Sequence, residues 1–116
     1  MIHTPSVPFC NVWERDTHFA KHGHKFGATD AMEYERMADS FVFGAMAGDG
    51  RDCTRPNDGD RVRFGFVTHL EGIVRRRPEP ECVRSFYPVE RTVIARHGGE
   101  AAYFARECAR IPGVNL

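Results

Sequence analysis

Apolar residues recur along the chain with two different periods. Tyr34, Met37, Ala38 and Phe41 fall at i, i+3, i+4 and i+7, the one-sided stripe of a helix. Asp30, followed three residues later by Glu33, supplies its start signal, and the glycines at Gly44 and Gly48 end it. An earlier helix is predicted over 12–22, opened by Asn11 with Glu14 three positions on and closed by Gly23. From Arg61 the period becomes two. Val62, Phe64 and Phe66 alternate with Arg61, Arg63 and Gly65, which describes a half-buried strand. Further strands are predicted over 72–77 and 82–87, joined by the Pro78-Glu79-Pro80-Glu81 turn. Ala101, Phe104, Ala105 and Cys108 restore helical spacing, with Ile111-Pro112 as the stop. The polar, turn-rich stretch 48–60 reads as a surface loop, and residues 1–9, with Pro5 and Pro8, as an extended lead-in. Helices first and strands afterwards predict a single α+β domain over 1–116. Its N-terminal helices pack on a small antiparallel sheet, and a short helix follows at the C-terminus.

Composition makes a folded domain plausible. Of 116 residues 41% are apolar, nine of them Phe, which is enough for one core. Sixteen cations balance sixteen acids, so a uniformly basic nucleic-acid binder is excluded. The balance is local, however. Residues 1–60 hold six cations against ten acids, a net of −4, and residues 61–116 hold ten against six, a net of +4. Fourteen of the cations are Arg. No apolar run is long enough to span a membrane, and the N-terminus has neither the basic nor the apolar region of a secretory signal, so export would need another carrier. Cys10, Cys53, Cys82 and Cys108 stand 43, 29 and 26 residues apart without a CxxC pair, and read as small buried or incidental thiols.

Two constellations could carry chemistry. In the first, His18 and His22 sit four apart on one helix face, with Lys21 between them and Lys25 following. Such a pair could ligate a metal, could be solvated imidazoles at a helix end, or could perform acid–base work beside phosphate-binding lysines. In the second, Arg61 and Arg63 share one strand face and could grip the same anion. Arg84, Ser85 and Tyr87 follow on a neighbouring strand, and Arg75-Arg76-Arg77 marks a cationic strand end. Strand arginines also serve simply to keep sheet edges soluble. No P-loop, GxGxxG, GxSxG or zinc-ribbon spacing is present.

The order of these pieces carries a resemblance. His18-Phe19-Ala20-Lys21-His22-Gly23-His24-Lys25-Phe26-Gly27 followed by Glu33-Tyr34-Glu35 and Ala38…Phe41 is similar to a pattern HFxKHGxEFG…EYxxxAxxF. Arg63-Phe64, Thr68-His69, Gly72-Ile73 and Val83-Arg84-Ser85-Phe86-Tyr87-Pro88 look like RYDxxTNxFGV…IRTFYxP, and His97-Gly98-Gly99…Tyr103-Phe104 looks like a closing HGxxxxYF. Together these resemble the barnase/EndoU/colicin/RelE-like nuclease superfamily, in its phage and polymorphic or contact-dependent inhibition toxin form. Lys25 stands for an acidic residue of the pattern, His69 for Asn, Gly65 for Asp and Ser85 for Thr, and Glu71 occupies an apolar position.

The resemblance implies an endoribonuclease toxin domain that needs neither metal nor other cofactor. Its expected substrate is RNA, with transfer RNA favoured, and its expected partner is a cognate immunity protein; it would otherwise be monomeric. It would be delivered from a producing cell into the cytoplasm of a target cell. By matched position, His18 and His22 become the acid/base candidates, with Lys21 beside them. Arg63 and Arg84 would stabilise phosphate charge, Thr68 and Ser85 would bind phosphate oxygens, and Tyr87 would contact base or phosphate. Two other readings stand beside it: a non-catalytic RNA- or protein-binding module on the same fold, and another phosphate-ester or nucleotide transferase.

Overall fold

Both predicted helix starts are capped as their residues require. In the computed structural model, which describes residues 7–110, α1 spans Val12–His22, and the Asn11 side chain accepts from the Glu14 N–H at 2.7 Å. Asp30 caps α2, Ala31–Phe43, by accepting from the Glu33 N–H at 2.8 Å. A 3-10 turn, Gly23–Phe26, joins the two helices. A Cβ at Gly23 would come within 2.3 Å of the Phe19 ring, so only glycine lets the chain turn there. The α2 stripe reaches the core as the spacing predicts, with Tyr34, Ala38 and Val42 fully buried.

Four antiparallel strands follow in spatial order β1-β2-β3-β4: Gly50–Thr54, Arg61–Gly65, Leu70–Arg75 and Cys82–Pro88. The first strand corrects the reading of 48–60 as loop. Gly50 lies opposite Gly65 and Thr54 opposite Arg61, along the whole of β2. The polar side chains of β1 sit on a sheet edge partly open to solvent, so no alternation marks it in the sequence. The third strand begins two residues before its predicted start, because Leu70 and Glu71 already pair with Pro88 and Tyr87.

Helices cover both faces of the sheet. On one, α1 and α2 enclose Phe9, Tyr34, Ala38, Val42, Val74, Val83 and Phe86. Gly72 lets α2 come close there, since a Cβ would meet Val42 Cγ1 at 2.3 Å. The other face holds Phe64, Val89, Ile94 and Tyr103 under α3, Arg91–Arg96, and α4, Glu100–Ala109. The helix α4 matches the predicted C-terminal helix. The six-residue stretch of α3 carries too short a pattern to predict. The expected stop at Ile111-Pro112 lies outside the described residues, as does most of the expected lead-in; its Phe9 forms a parallel bridge with Val83.

The cysteines pair, which corrects their reading as incidental thiols. Cys10 joins Cys82, 72 residues away, and Cys53 joins Cys108, 55 residues away. Neither pair is local, so spacing hides both. Backbone pairing of Cys10 N–H to the Val83 carbonyl at 2.9 Å brings the first together, and Cys53 on β1 faces α4 for the second. Among the described residues no free cysteine remains.

Candidate functional site

The two histidines of α1 lie along the boundary between the α1 layer and the end of the sheet. His18 packs edge-on against Phe9, ring centroids 5.8 Å apart, and His22, one turn later, lies against Tyr87 at 5.7 Å. Burial lowers the pKa of both. For His22 the nearby Lys25 and Lys21 add to the effect and bring it to about 4, so the ring is neutral at pH 7. The Nδ1 atoms of both rings are buried without a hydrogen-bond partner among the described residues.

Past the end of β4, a cleft of about 350 Å³ separates α1 and the 3-10 turn from α3 and α4. Lys21, His22 and Lys25 line one wall, and Arg96, His97, Arg106 and Arg110 line the other. Five cations and two imidazoles thus face a volume large enough for a phosphodiester and part of its sugar. His97 Nε2 lies 3.2 Å from Arg106 Nη1; the guanidinium can only donate, so this nitrogen accepts. The cleft draws its cations from both halves of the sequence, Lys21 and Lys25 from the first and Arg96, Arg106 and Arg110 from the second, and Glu90 and Glu107 line it beside them.

Beneath the cations lies an acidic floor. Tyr87 and Glu107 line the cleft, and the Tyr87 hydroxyl donates to Glu71 Oε2 at 2.5 Å. Glu71 on β3 is fully buried, and Glu107 on α4 is 2% exposed. Burial, and then the neighbouring Glu107 carboxylate, push the Glu71 carboxyl up to about 8. Burial and the same carboxylates push the Tyr87 and Tyr103 phenols above the ordinary tyrosine range. Arg55, also buried, donates to the Glu107 carbonyl at 2.7 Å and places Nη2 3.7 Å from Glu107 Oε1. Sequence reasoning missed Glu107 and Arg55. It met Glu71 only as an acid at an apolar position of a strand, which was the available signal.

The remaining predicted residues lie elsewhere. Arg63 and Arg61 do share a strand face and do grip one anion, but that anion is Asp52 of β1. Arg63 Nε and Nη2 reach its two oxygens at 2.7 and 2.9 Å, and Arg61 Nη1 reaches it at 3.3 Å. Arg63 Nη1 also donates to the carbonyls of Phe41 and Gly44, both at 3.0 Å, on the α2 side of the sheet. Thr68 caps the β2–β3 turn with Asp49, whose carboxylate accepts from the Val67 and Thr68 N–H groups. Arg63 and Thr68 line a separate, largely apolar cleft. Arg84 sits at the bulge where β4 gains a residue against β3, and donates to the buried Asp60 at 2.6 Å. Ser85 lies opposite Ile73, two residues from Tyr87 on the α4 side. The fold therefore brings His22, Lys21 and Tyr87 together, sets His18 one turn behind, and keeps Arg63, Thr68 and Arg84 out of the cleft.

Among the described residues, no three His, Cys, Asp or Glu side chains form a group that could hold a metal, and no helix is long and apolar enough to cross a membrane. No protein-family model, no curated protein and no solved structure matches the chain.

Proposed function

We propose that the domain is an endoribonuclease and that the cleft between α1 and α3–α4 is where it holds RNA. The observation that carries this reading is the meeting of His22 and His97 within a ring of Lys21, Lys25, Arg96, Arg106 and Arg110. Cleavage of RNA by its own 2′-hydroxyl needs three services: removal of that proton, stabilisation of a more negative phosphate, and a proton for the leaving 5′-oxygen. His22, uncharged at pH 7, serves as the base. Lysines and arginines aimed at the phosphate stabilise the charge that develops there. Lys21 supplies the proton to the 5′-oxygen. The nucleophile belongs to the substrate, so the product carries a 2′,3′-cyclic phosphate and the scheme calls on no metal. Within this reading, transfer RNA is the favoured substrate. An acidic immunity protein that fills the cleft would be the natural inhibitor. Delivery into a target cytoplasm also remains part of the proposal, with the two disulfides suited to passage through an oxidising compartment.

The test uses purified protein, chelator and total transfer RNA, followed by analysis of the fragment ends. Cyclic phosphate ends are expected; intact RNA, or cleavage that depends absolutely on a divalent ion, would overturn the scheme. A second reading has its own support. Arg63 and Thr68, both assigned to phosphate by the resemblance, are engaged within the fold, which favours a module that binds RNA without cutting it. Its signature is salt-sensitive binding of RNA that stays whole.

A further inference from the structure

The carboxyl groups of Glu71 and Glu107 present a problem of hydrogen-bond accounting beneath the cleft. Both are almost completely removed from water. Glu71 Oε2 accepts from Tyr87, and the Glu107 backbone carbonyl accepts from Arg55, but Glu71 Oε1 and Glu107 Oε1 have no hydrogen-bond partner of their own. Tyr87, which donates to Glu71, lines the cleft together with Glu107, and after burial the Glu107 carboxylate is what most raises the Glu71 carboxyl. Two carboxylate oxygens cannot bond as acceptors, and leaving both bare and ionised in the interior is costly. One proton between them resolves both deficits at once.

We propose that Glu71 and Glu107 share a single proton, and that this proton sets the affinity of the cleft for anions. The inference rests on the cleft being the anion-binding surface, and it adds a control that the cations alone do not supply. With the proton in place, the floor carries one negative charge, offset by Arg55 and by Arg110, whose Nη1 lies 3.8 Å from Glu107 Oε2. Loss of the proton adds a second buried negative charge directly under the bound phosphate. The surroundings give that charge no new partner. From β4 it meets Tyr87, from α4 Tyr103 and Glu107, and from β2 the apolar ring of Phe64, which stands opposite Glu71 in the register. Both phenols stay protonated through this range. The cleft thus takes an anion well while the pair holds its proton and poorly once the pair has lost it.

The experiment measures binding of a short oligodeoxynucleotide, which lacks the 2′-hydroxyl and cannot be cut, by calorimetry at fixed ionic strength from pH 6 to pH 9.5. Wild-type affinity is expected to fall about ten-fold between pH 7 and pH 9.5, the size of one added buried charge at close range. In Glu71→Gln, which is neutral at every pH and keeps the hydrogen-bonding shape, the fall should disappear while affinity at pH 6 stays within about two-fold. Difference infrared spectroscopy gives an independent readout: a protonated carboxylic acid signal in the wild type at pH 7, lost by pH 9.5 and absent from Glu71→Gln. A pH-independent wild type, a Glu71→Gln variant that still loses affinity, or no acid signal at pH 7 would each overturn the proposal. Binding with the expected pH dependence but without cleavage of RNA would remove the nuclease reading and leave the shared proton standing. Cleavage with pH-independent binding would do the reverse.

Discussion

Arg63 on β2 holds both carboxylate oxygens of Asp52 on β1, through Nε at 2.7 Å and Nη2 at 2.9 Å. A two-pronged pair of this kind spends the guanidinium on the sheet edge, and the remaining donor ties that edge to the last turn of α2. Replacing Arg63 by Ala should therefore lower stability by about 1–3 kcal/mol, since it leaves Asp52 with only the longer contact from Arg61 and takes a donor from two carbonyls. Cleavage per folded molecule should change little. Urea unfolding and a cleavage assay on the folded fraction check both halves, and a large activity loss without destabilisation would return Arg63 to the chemistry.

The two α1 histidines should behave differently although they share a helix face. His22 lines the cleft and His18 packs on Phe9 behind it. His22→Ala should lower cleavage by about 10²–10⁴-fold, the range of a lost proton-transfer role. His18→Ala should act through stability instead, visible as a lower melting temperature with the folded-state rate retained.

Charge on the cleft wall should be readable as salt dependence. Lys21→Ala, Lys25→Ala and Arg96→Ala each remove a cation from the cleft. For each one that contacts phosphate, the slope of log affinity against log salt should become shallower by about 0.7 on single-stranded RNA. Arg51→Ala, on the opposite edge of the sheet, should leave the slope unchanged. Fluorescence anisotropy across a salt series separates these cases.

Stability should be nearly level between about pH 4.5 and 6.5, where two titrations oppose each other, and fall as pH rises from 6.5 to about 8. Between about 4 and 6.5 the unfolded chain protonates His22 while the folded chain does not, so acid favours unfolding. Between 4.5 and about 8 the folded chain keeps a proton on Glu71 that the unfolded chain has released, so each rise in pH favours unfolding. His22→Asn should turn the level stretch into a fall with rising pH, and Glu71→Gln should remove the fall above about pH 6.5, the alkaline limb. Chemical denaturation at several pH values tests the sign as well as the assignment; an alkaline limb that survives Glu71→Gln counts against a raised Glu71.

Reduction should cost the fold more than its size alone suggests. Closing loops of 72 and 55 residues removes chain entropy from the unfolded state worth about 4 kcal/mol per bridge in the loop-closure picture. The bridges differ in what they hold. Cys53–Cys108 ties β1 to α4, which carries the Tyr103, Arg106 and Glu107 side of the cleft, whereas Cys10–Cys82 ties the lead-in to β4. Cys53→Ser with Cys108→Ser should therefore weaken anion binding as well as stability, and the Cys10→Ser, Cys82→Ser pair mainly stability. Denaturant midpoints with and without reductant, beside oligonucleotide affinity, distinguish the two.

What the chain determined by itself is local. Caps at Asn11 and Asp30, the Tyr34–Phe41 stripe and the alternation around Phe64 depend on neighbours within a few residues, so periodicity and side-chain chemistry reveal them directly. The α+β class follows from their order. The rest depends on contacts between distant segments. An edge strand at Gly50–Thr54 buries too little to show a pattern, and α3 is too short to have one. Disulfide partners 72 and 55 residues apart are chosen by which strand and helix face each other, which spacing does not encode. The same holds for the site. His22 and Lys21 were legible as a polar cluster on one helix, but their meeting with Arg96, His97 and Arg106 requires α1 and α4 to converge at the end of β4. Arg63 shows the converse: side-chain type marks it as an anion binder, and only the register of β1 against β2 decides that the anion is the protein's own Asp52. Glu71 needs tertiary structure most, because a carboxyl group becomes a neutral acid only when folding removes its water and sets a second carboxylate beside it.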